Sequence, residues 1–353
     1  MPESSIVARQ EQPGLPVSSQ PLPAGLRSAI ALFEQAAECV PLPRAPHPIV
    51  VADYGAGDGH NALLPIGAAI SALRTRTRPE HSILVTHTDI ADNDFSTLFR
   101  TVAQHPDSYL HQDSAAFTSA VGRSFYSQIL PSNSVHLGWS AWSVLWLGRV
   151  PMPVGDGMVV AHSGEHDVRA AYAKQAAHDW HEFVAYRGRE LAPGGKVVVL
   201  TMALADDGDF GHRPLLGALA DTLTELRGAG MISDDEKARM SLPIVGRSAA
   251  DFVAPFAPSG RLEGLSVEHL EVFDADDRIF DRYRKDHDTK AFGAAWAAFC
   301  RFAVFDTLAT VLDRPDPAFY DQLESGIAER LAAAPQQTRI PLATVVLTKK
   351  PKV

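Results

Sequence analysis

One short segment constrains the fold of this chain more than any other, namely VVADYGAGDGHN at residues 50–61. It begins as an apolar, β-branched run that leads to an acid, Asp53. Three glycines, Gly55, Gly57 and Gly59, then alternate with other residues before the apolar run ALLPIGAAISAL begins. Because glycine tolerates the sharp bends of a tight connection, the segment predicts a buried strand, a glycine-rich turn and a helix.

The rest of the chain alternates between patterns typical of strands and of helices. Runs typical of buried strands are HPIVVADYG, HSILVTHTDI, SVHLGWSAWS, GGKVVVLTMAL and IPLATVVLTKK. Apolar residues at helical spacing occur between them, as in NALLPIGAAISALRTRT and RAAYAKQAAHDWHEFVAYRGRELAPGG. Strands separated by helices predict an α/β fold with a doubly wound, mostly parallel sheet. Residues 206–314 break this rhythm with helical stretches, acidic turns and one strand near LSVEHLEVF, which we interpret as a cap.

Composition favours a globular protein that acts on a small molecule. The chain has 353 residues, of which 46% are hydrophobic, and its formal net charge of −10 opposes non-specific binding to nucleic acid or to an anionic membrane. No run of 18 or more apolar residues occurs, so we expect no membrane span, and the N-terminus lacks a secretory pattern. Two cysteines, Cys39 and Cys300, make no disulfide framework, so we expect a cytoplasmic protein. We also expect the protein to be a homodimer.

The charges around the turn indicate which ligand it binds. Dinucleotide enzymes use G-x-G-x-x-G, whereas this turn reads G-x-G-x-G and carries Asp53 and Asp58, which would repel a diphosphate. An acid there suits the ammonium group of S-adenosylmethionine. Asp89, at the end of the second strand, would accept hydrogen bonds from both ribose hydroxyls. The alternative is that the glycines only form a tight turn.

Four ordered motifs resemble those of the SABATH methyltransferases, the salicylate, jasmonate, benzoate and caffeine-type enzymes and their bacterial relatives. ADYGAGDGHN resembles the family's D-x-G-x-x-x-G-x-N, and THTDIADNDFSTLF is similar to N-D-L-x-x-N-D-F-x-x-L-F. GRSFYSQILP followed by WSAWSVLWLGRVP, and GMISDDEKARMSLPIVGRS, match the family's later motifs. The resemblance covers residues 48–350 and implies a Rossmann-like methyltransferase sheet with a helical cap.

The resemblance also implies a binding site for S-adenosylmethionine. Asp53 and Asn61 would contact the methionyl part, Asp89 the ribose, and Phe125 would stack on the adenine. The full set of implied cofactor residues is Asp53, Gly55, Gly57, Asp58, Asn61, Asp89, Ile90, Ser124, Phe125 and Ser140.

The acceptor site follows from WSAWSVLWLGRVP. By resemblance, Trp146 would donate its indole N–H to a carboxylate oxygen of the acceptor. Trp142 stands where the family has a tyrosine, so loss of the phenol leaves an apolar wall that suits an aliphatic, possibly fatty, acid. The implied acceptor residues are Trp139, Trp142, Leu145, Trp146 and Gln20. Gln20 lies in LPVSSQPL, which matches the family's N-terminal motif poorly.

The expected reaction is in-line methyl transfer to a carboxylate, which forms a methyl ester. A carboxylate is ionised at neutral pH, so no general base and no catalytic side chain is expected, only positioning. Alternatives are an N- or O-methyltransferase of a heteroaromatic or phenolic molecule, an NAD-dependent oxidoreductase, and a binding protein of the same fold without activity.

We expect four segments along the chain. Residues 1–47 form an N-terminal segment and first helix, 48–205 the cofactor-binding core, 206–335 the cap, and 336–353 a strand that returns to the core sheet.

A competing metal motif is HSGEH, His162 to His166, which satisfies the zinc pattern H-x-x-E-H. That pattern requires a helix, and the internal Gly164 argues against one, so we expect no metal. A second histidine pair, in HDWHE, reads as an exposed helix face.

Overall fold

The computed structural model describes residues 25–154, 158–314 and 316–351. In this part of the chain, one seven-stranded sheet has the order β3-β2-β1-β4-β5-β7-β6. Its strands are β1 (Ile49–Tyr54), β2 (Ile83–Asp89), β3 (Ala116–Gly122), β4 (Val135–Ala141), β5 (Leu191–Met202), β6 (Leu265–Asp274) and β7 (Pro341–Lys349).

Helices connect the strands and cover the sheet. They are α1 (Leu26–Cys39), α2 (His60–Arg74), α3 (Phe95–Gln104), α4 (Tyr109–Gln112), α5 (His166–Glu190), α6 (Arg213–Gly228), α7 (Asp234–Arg239), α8 (Ala249–Val253), α9 (Arg278–Asp286), α10 (Thr289–Cys300), α11 (Asp306–Ala309) and α12 (Pro317–Ala333). A π-helical turn, Arg301–Phe305, joins α10 to α11.

The strand order creates a crevice at the carboxyl end of β1. β1 pairs in parallel with β2 on one side and with β4 on the other, so the chain changes direction across the sheet at this point. β3 and β5 extend the parallel part, and β7 is antiparallel to β5 and β6. Ligands of open α/β sheets bind where the strand order reverses in this way. The predicted doubly wound, mostly parallel sheet is confirmed.

Two edge strands differ from the sequence-based expectation. β3 was not predicted, because most of its residues are only half-buried and its sequence AFTSAVG lacks the dense apolar pattern of a central strand. β6 falls within the range expected for the cap, yet it pairs with β7 in the main sheet. It is an edge strand with a mixed pattern of burial, and a register shift occurs between Val267 and His269. The chain therefore returns to the sheet once before β7.

One helix in the described ranges, Thr289–Ala309, is long and apolar enough to suit a membrane span by length and composition. Half of its most apolar window is buried inside the protein. At Gly293, an ideal Cβ would lie 2.2 Å from the carbonyl oxygen of Ala328, so α10 and α12 pack backbone to backbone. Such close packing indicates a helix that packs inside the protein.

A buried ion pair ties α5 to the sheet. Arg187 and Glu190 are both fully buried, with Arg187 Nε 3.0 Å from Glu190 Oε2 and Nη2 2.9 Å from Oε1. The hydroxyl of Tyr54 donates to Glu190 Oε2 at 2.8 Å. Arg187 also donates to the carbonyl oxygens of Phe125 at 2.8 Å and Ser127 at 2.9 Å. The network therefore connects β1, α5 and the segment that follows β3.

Candidate functional site

The glycine-rich turn lies at the crevice and packs against the loop that follows β4. Gly55 has a φ of 83°, and an ideal Cβ there would lie 2.0 Å from Ser143 Oγ. The amides of Gly55 and Ala56 donate to the carbonyl oxygen of Thr88 at 2.9 and 3.0 Å. Only glycine fits this position without displacing Ser143, so the turn is fixed between β2 and the loop after β4.

Asp89, the last residue of β2, binds the turn through both carboxylate oxygens. Oδ2 accepts a hydrogen bond from the amide of Gly57 at 2.7 Å, and Oδ1 accepts one from the amide of Ile90 at 2.8 Å. Asn93 Nδ2 donates to the Gly57 carbonyl oxygen at 2.8 Å. Asp89 is fully buried, and this burial raises its pKa to about 6. Each oxygen keeps capacity to accept from one more donor.

Asp53 belongs to a buried chain of hydrogen bonds that the sequence analysis missed. Its Oδ2 lies 2.8 Å from His87 Nδ1, and His87 Nε2 lies 2.9 Å from the Tyr109 hydroxyl. Because an ionised carboxylate only accepts, a neutral His87 carries its hydrogen on Nδ1 and accepts from Tyr109 at Nε2. Asp53 and His87 are direct partners in the register of β1 and β2, which puts both side chains on one face. The sequence feature that could have indicated this contact is a polar residue within an otherwise apolar strand.

The remaining predicted cofactor residues fall into two groups. Asp58, Asn61, Ile90 and Ser124 lie around the turn and are half-buried. In contrast, Ser140 is fully buried and donates to the carbonyl oxygen of the last residue of β1 at 2.9 Å.

Phe125 is also fully buried, in an aromatic cluster. Its ring centre lies 4.6 Å from that of Tyr126 and 5.9 Å from that of Phe183. The ring is thus packed on protein side chains in this structure, and its predicted stacking on adenine stays a prediction.

Trp142 and Trp146 carry buried indole N–H groups that have no hydrogen-bond partner among the residues described. They are 4% and 2% exposed. Trp142 has a φ of 60°, a conformation that non-glycine residues rarely adopt, and its amide donates to the carbonyl oxygen of Leu200 at 2.8 Å. Unpaired buried donors and strained backbone both tend to occur where a ligand binds. Trp142, expected only as part of an apolar wall, therefore carries a second buried donor without a partner among the described residues.

Two further predicted acceptor residues are buried, and one lies outside the described ranges. Trp139 packs on Phe33 of α1, with 5.0 Å between the ring centres, which places it in the core between α1 and the sheet. Leu145 is fully buried, and its carbonyl oxygen accepts from the amide of Val245 at 2.9 Å. Gln20 falls in residues 1–24, which the structure does not describe.

An apolar cleft lies where β5 ends, and one of its residues pairs through the backbone with Trp146. It is lined by Met202, Phe210, His212, Leu215, Leu216, Leu219, Leu242, Ile244, Phe299, Cys300, Ala303 and Val304. Ile244 forms an antiparallel backbone bridge with Trp146, so one residue of the cleft wall is a neighbour of this tryptophan in space. Its wall is hydrocarbon or thioether except for the His212 imidazole and the Cys300 thiol. His212 escaped the sequence analysis because the elements around it are distant in the chain.

The competing histidine motif does not form the arrangement that zinc proteases require. His162 ends a 3-10 helical turn, Val160–His162, whereas His166 begins α5. The two rings are therefore not on successive turns of one helix. Across the residues that the structure describes, no group of three His, Cys, Asp or Glu side chains is placed to hold a metal ion.

Comparisons with known proteins agree on one family. The family model described as SAM dependent carboxyl methyltransferase matches residues 20–350. A salicylate carboxymethyltransferase of Clarkia breweri is 25% identical over 236 residues, which span 64% of this chain and 63% of that protein. A benzoic acid/salicylic acid carboxyl methyltransferase of Petunia hybrida is 28% identical over 212 residues, which span 56% of this chain and 59% of that protein. In both cases, the match covers less than two thirds of the relative.

Among solved structures, a loganic acid methyltransferase with SAH has a TM-score of 0.72 to this chain at 21% identity. The match covers 93% of each chain. At this level of identity, the likeness establishes the fold alone.

Proposed function

The chain belongs to the SAM-dependent carboxyl methyltransferases, and from that premise we propose that it methylates the carboxylate of a small aliphatic acid. The observation that carries the proposal is the pair of unpaired, buried indole N–H groups of Trp142 and Trp146. A buried donor without a partner costs about 1–3 kcal/mol. A carboxylate that accepted from both indoles, one at each oxygen, would satisfy both donors and would remove this penalty.

The residues around the turn fit the cofactor in chemistry. When bound, S-adenosylmethionine supplies an electrophilic methyl group on a sulfonium. We assign its ribose hydroxyls to the free acceptor positions of Asp89 and its ammonium group to the Asp53 carboxylate. The hydrogen bond from His87 holds the Asp53 carboxylate in one orientation. The approach of Gly55 to Ser143 leaves no room for a side chain in this part of the turn.

Positioning accounts for catalysis in this proposal. The acceptor is already an anion at neutral pH, so no side chain needs to remove a proton. Trp142 and Trp146 orient the carboxylate, and their burial excludes water from the reacting oxygen. Orientation of this kind supplies roughly 7–11 kcal/mol of a bimolecular barrier.

The cleft beside Trp146 supports an aliphatic acceptor. Its wall consists mainly of leucine, isoleucine, valine, methionine and phenylalanine side chains. Burying hydrocarbon against such a wall contributes about 0.8 kcal/mol per methylene. The proposed substrates are therefore monocarboxylic acids with a hydrocarbon tail.

Replacement of Trp146 by phenylalanine tests the function directly. The variant keeps most of the ring volume but removes the donor, so kcat/KM for a carboxylic acid should fall by about 1.5–3 kcal/mol, or roughly 10- to 150-fold. The measurements are transfer of a labelled methyl group to alkanoic acids, inhibition of that transfer by the matching neutral amides, and the melting temperature. Turnover of the acid should fall far more than binding of the amide.

A matched control is Trp180→Phe. Trp180 is also buried, but its Nε1 donates to the carbonyl oxygen of Phe252 at 2.9 Å, and it lies in α5. This variant should lose stability without changing the turnover of the acid relative to inhibition by the amide. If Trp146→Phe weakened turnover of the acid and binding of the amide equally, the proposed role of Trp146 would be refuted. Methyl transfer only to phenols or nitrogen heterocycles would show that the acceptor is not a carboxylate.

A further inference from the structure

A buried arginine binds the backbone of the loop that carries the two acceptor tryptophans, residues 142–147, here called the tryptophan loop. Arg247 is 2% exposed, and a guanidinium is always charged. Its Nη1 donates to the carbonyl oxygen of Val144 at 2.5 Å, and its Nη2 donates to that of Ala176 in α5 at 3.0 Å. In the part of the chain that the structure describes, Arg247 forms no ion pair with a carboxylate. A buried charge is costly to desolvate, so folding stability alone does not account for an arginine at this position.

The segment that ends at Arg247, residues 243–247, pairs with the tryptophan loop through its backbone. The amide of Leu147 donates to the carbonyl oxygen of Pro243 at 2.7 Å. At the other end of the segment, the carbonyl oxygen of Arg247 accepts from the amide of Leu204, just after β5, at 3.0 Å. The segment is therefore anchored to the sheet side as well as to the loop, and the Arg247 side chain adds a direct hydrogen bond between the two.

A further contact joins the tryptophan loop to the glycine-rich turn. Ser143 Oγ lies 3.2 Å from the carbonyl oxygen of Gly55. Trp142, the preceding residue, has a φ of 60°, and strained backbone of this kind persists only where the surrounding structure holds it. Val144 directly follows Ser143, so the hydrogen bond from Arg247 fixes the loop one residue away from its contact with the turn.

We propose that Arg247 is a positioning residue that, through the carbonyl group of Val144, holds the two indole donors in place relative to the cofactor. These donors are the buried N–H groups of Trp142 and Trp146. The guanidinium contacts neither acceptor nor cofactor and acts through the backbone of the tryptophan loop. Tyr126 supports the same loop, because its hydroxyl donates to the carbonyl oxygen of Trp146 at 2.6 Å. This inference rests on the proposed carboxyl methyltransferase function.

The variant Arg247→Met tests the proposal, because methionine keeps an unbranched apolar side chain but removes every donor. The carbonyl oxygen of Val144 keeps the Tyr126 hydroxyl at 3.4 Å, and Ala176 lies in the interior of α5, so we expect the variant to fold. The acceptor is the straight-chain alkanoic acid that the unaltered full-length chain methylates fastest in a series of graded length. For this acid, kcat/KM should fall by about 10- to 100-fold, since misplacement by about 1 Å has effects of that order.

Two binding measurements distinguish positioning from a general loss of structure. In Arg247→Met, the affinity for S-adenosylhomocysteine, measured by titration calorimetry, should stay unchanged. The affinity of the protein saturated with S-adenosylhomocysteine for the same acid should fall by about tenfold or more, because the indole hydrogen bonds to a charged group are weakened.

A matched control is Arg76→Met. Arg76 also binds two backbone carbonyl oxygens through Nη1, those of Ala37 at 2.8 Å and Val40 at 3.0 Å. It follows the C-terminal end of α2, whereas the glycine-rich turn precedes the N-terminal end of that helix. This variant should change neither the turnover of the acid nor its affinity.

The outcomes separate the role of Arg247 from the proposed function. Unchanged acid turnover in a folded Arg247→Met, or an equal loss of affinity for the acid and for S-adenosylhomocysteine, overturns the role of Arg247 alone. If Arg247→Met does not fold, Arg247→Lys decides, because an ammonium cannot reproduce the planar fork of the guanidinium. Lower acid turnover at full affinity for S-adenosylhomocysteine then supports the proposal, and unchanged turnover or parallel losses overturn it. Absence of transfer to every alkanoic acid by the unaltered protein overturns the proposed function and this inference with it.

Discussion

Replacement of Glu190 by glutamine is expected to lower the free energy of unfolding by about 3–5 kcal/mol, because it leaves the guanidinium of Arg187 as an unpaired charge in the core. Both side chains are fully buried. Glu190 Oε1 also accepts from the amides of Ile129 and Leu130 at 2.6 and 3.1 Å. A glutamine has one acceptor oxygen and one NH2 group. Because every partner of the Glu190 carboxylate is a donor, the NH2 group would face at least one donor and could not accept from it.

The chain contains a matched control for this prediction. Glu263 pairs with Arg189 at 3.0 Å, but the two side chains are 39% and 46% exposed. Exposed pairs of this kind contribute about 0–1 kcal/mol, so Glu263→Gln should be nearly neutral. Urea unfolding followed by circular dichroism would compare the two variants.

A loss of 1 kcal/mol or less in Glu190→Gln would contradict this account. It would mean that the charge of Arg187 is satisfied by the carbonyl oxygens of Phe125 and Ser127 alone. The segment after β3 would then be held without the carboxylate.

The central strands were predictable because parallel strands are buried on both faces. β1, β2, β4 and β5 are mostly buried and rich in apolar residues, and the glycine-rich turn marks the junction of β1 with α2. Local sequence alone carries that signal. The edge strands β3 and β6 have a weaker sequence signal, because each has a partner strand on one side only and contains many half-buried residues. Their pairing depends on the neighbouring strand and not on their own pattern.

The site residues also fall into those that local sequence reveals and those whose contacts depend on the tertiary structure. Asp89 and the glycines of the turn could be found because a strand end and a turn are features of adjacent residues. The contact between Asp53 and His87 depends on strand register, and the position of His212 depends on helices from three parts of the chain. The indole donor of Trp142 was treated as hydrocarbon, since sequence does not reveal whether a buried N–H has a partner.

Replacement of Asp89 by alanine is expected to weaken cofactor binding by roughly 2–4 kcal/mol, because it removes the proposed acceptor for both ribose hydroxyls. The exposed Asp92, three residues along the same loop, provides the control, and Asp92→Ala should bind normally. Titration calorimetry with S-adenosylhomocysteine measures the affinity, and the melting temperature shows whether loss of the contacts with Gly57 and Ile90 unfolds the turn. Unchanged affinity in a folded Asp89→Ala protein would exclude the ribose site as proposed.

The raised pKa of Asp89 gives this prediction a second, independent readout. For a carboxyl whose pKa is raised by burial to about 6, the contribution to folding stability is full below its unfolded value of 3.8 and is lost as the pH rises through 6. The protein therefore keeps a carboxylate that disfavours folding at neutral pH, as expected of a ligand-binding group. Ribose hydroxyls donate to the ionised form and so favour it. Cofactor affinity should accordingly rise between pH 5 and pH 7, by about fivefold if binding lowers the pKa by one unit. In Asp89→Ala this rise of cofactor affinity with pH should disappear. If it persisted in the variant, a group other than Asp89 would be responsible for it.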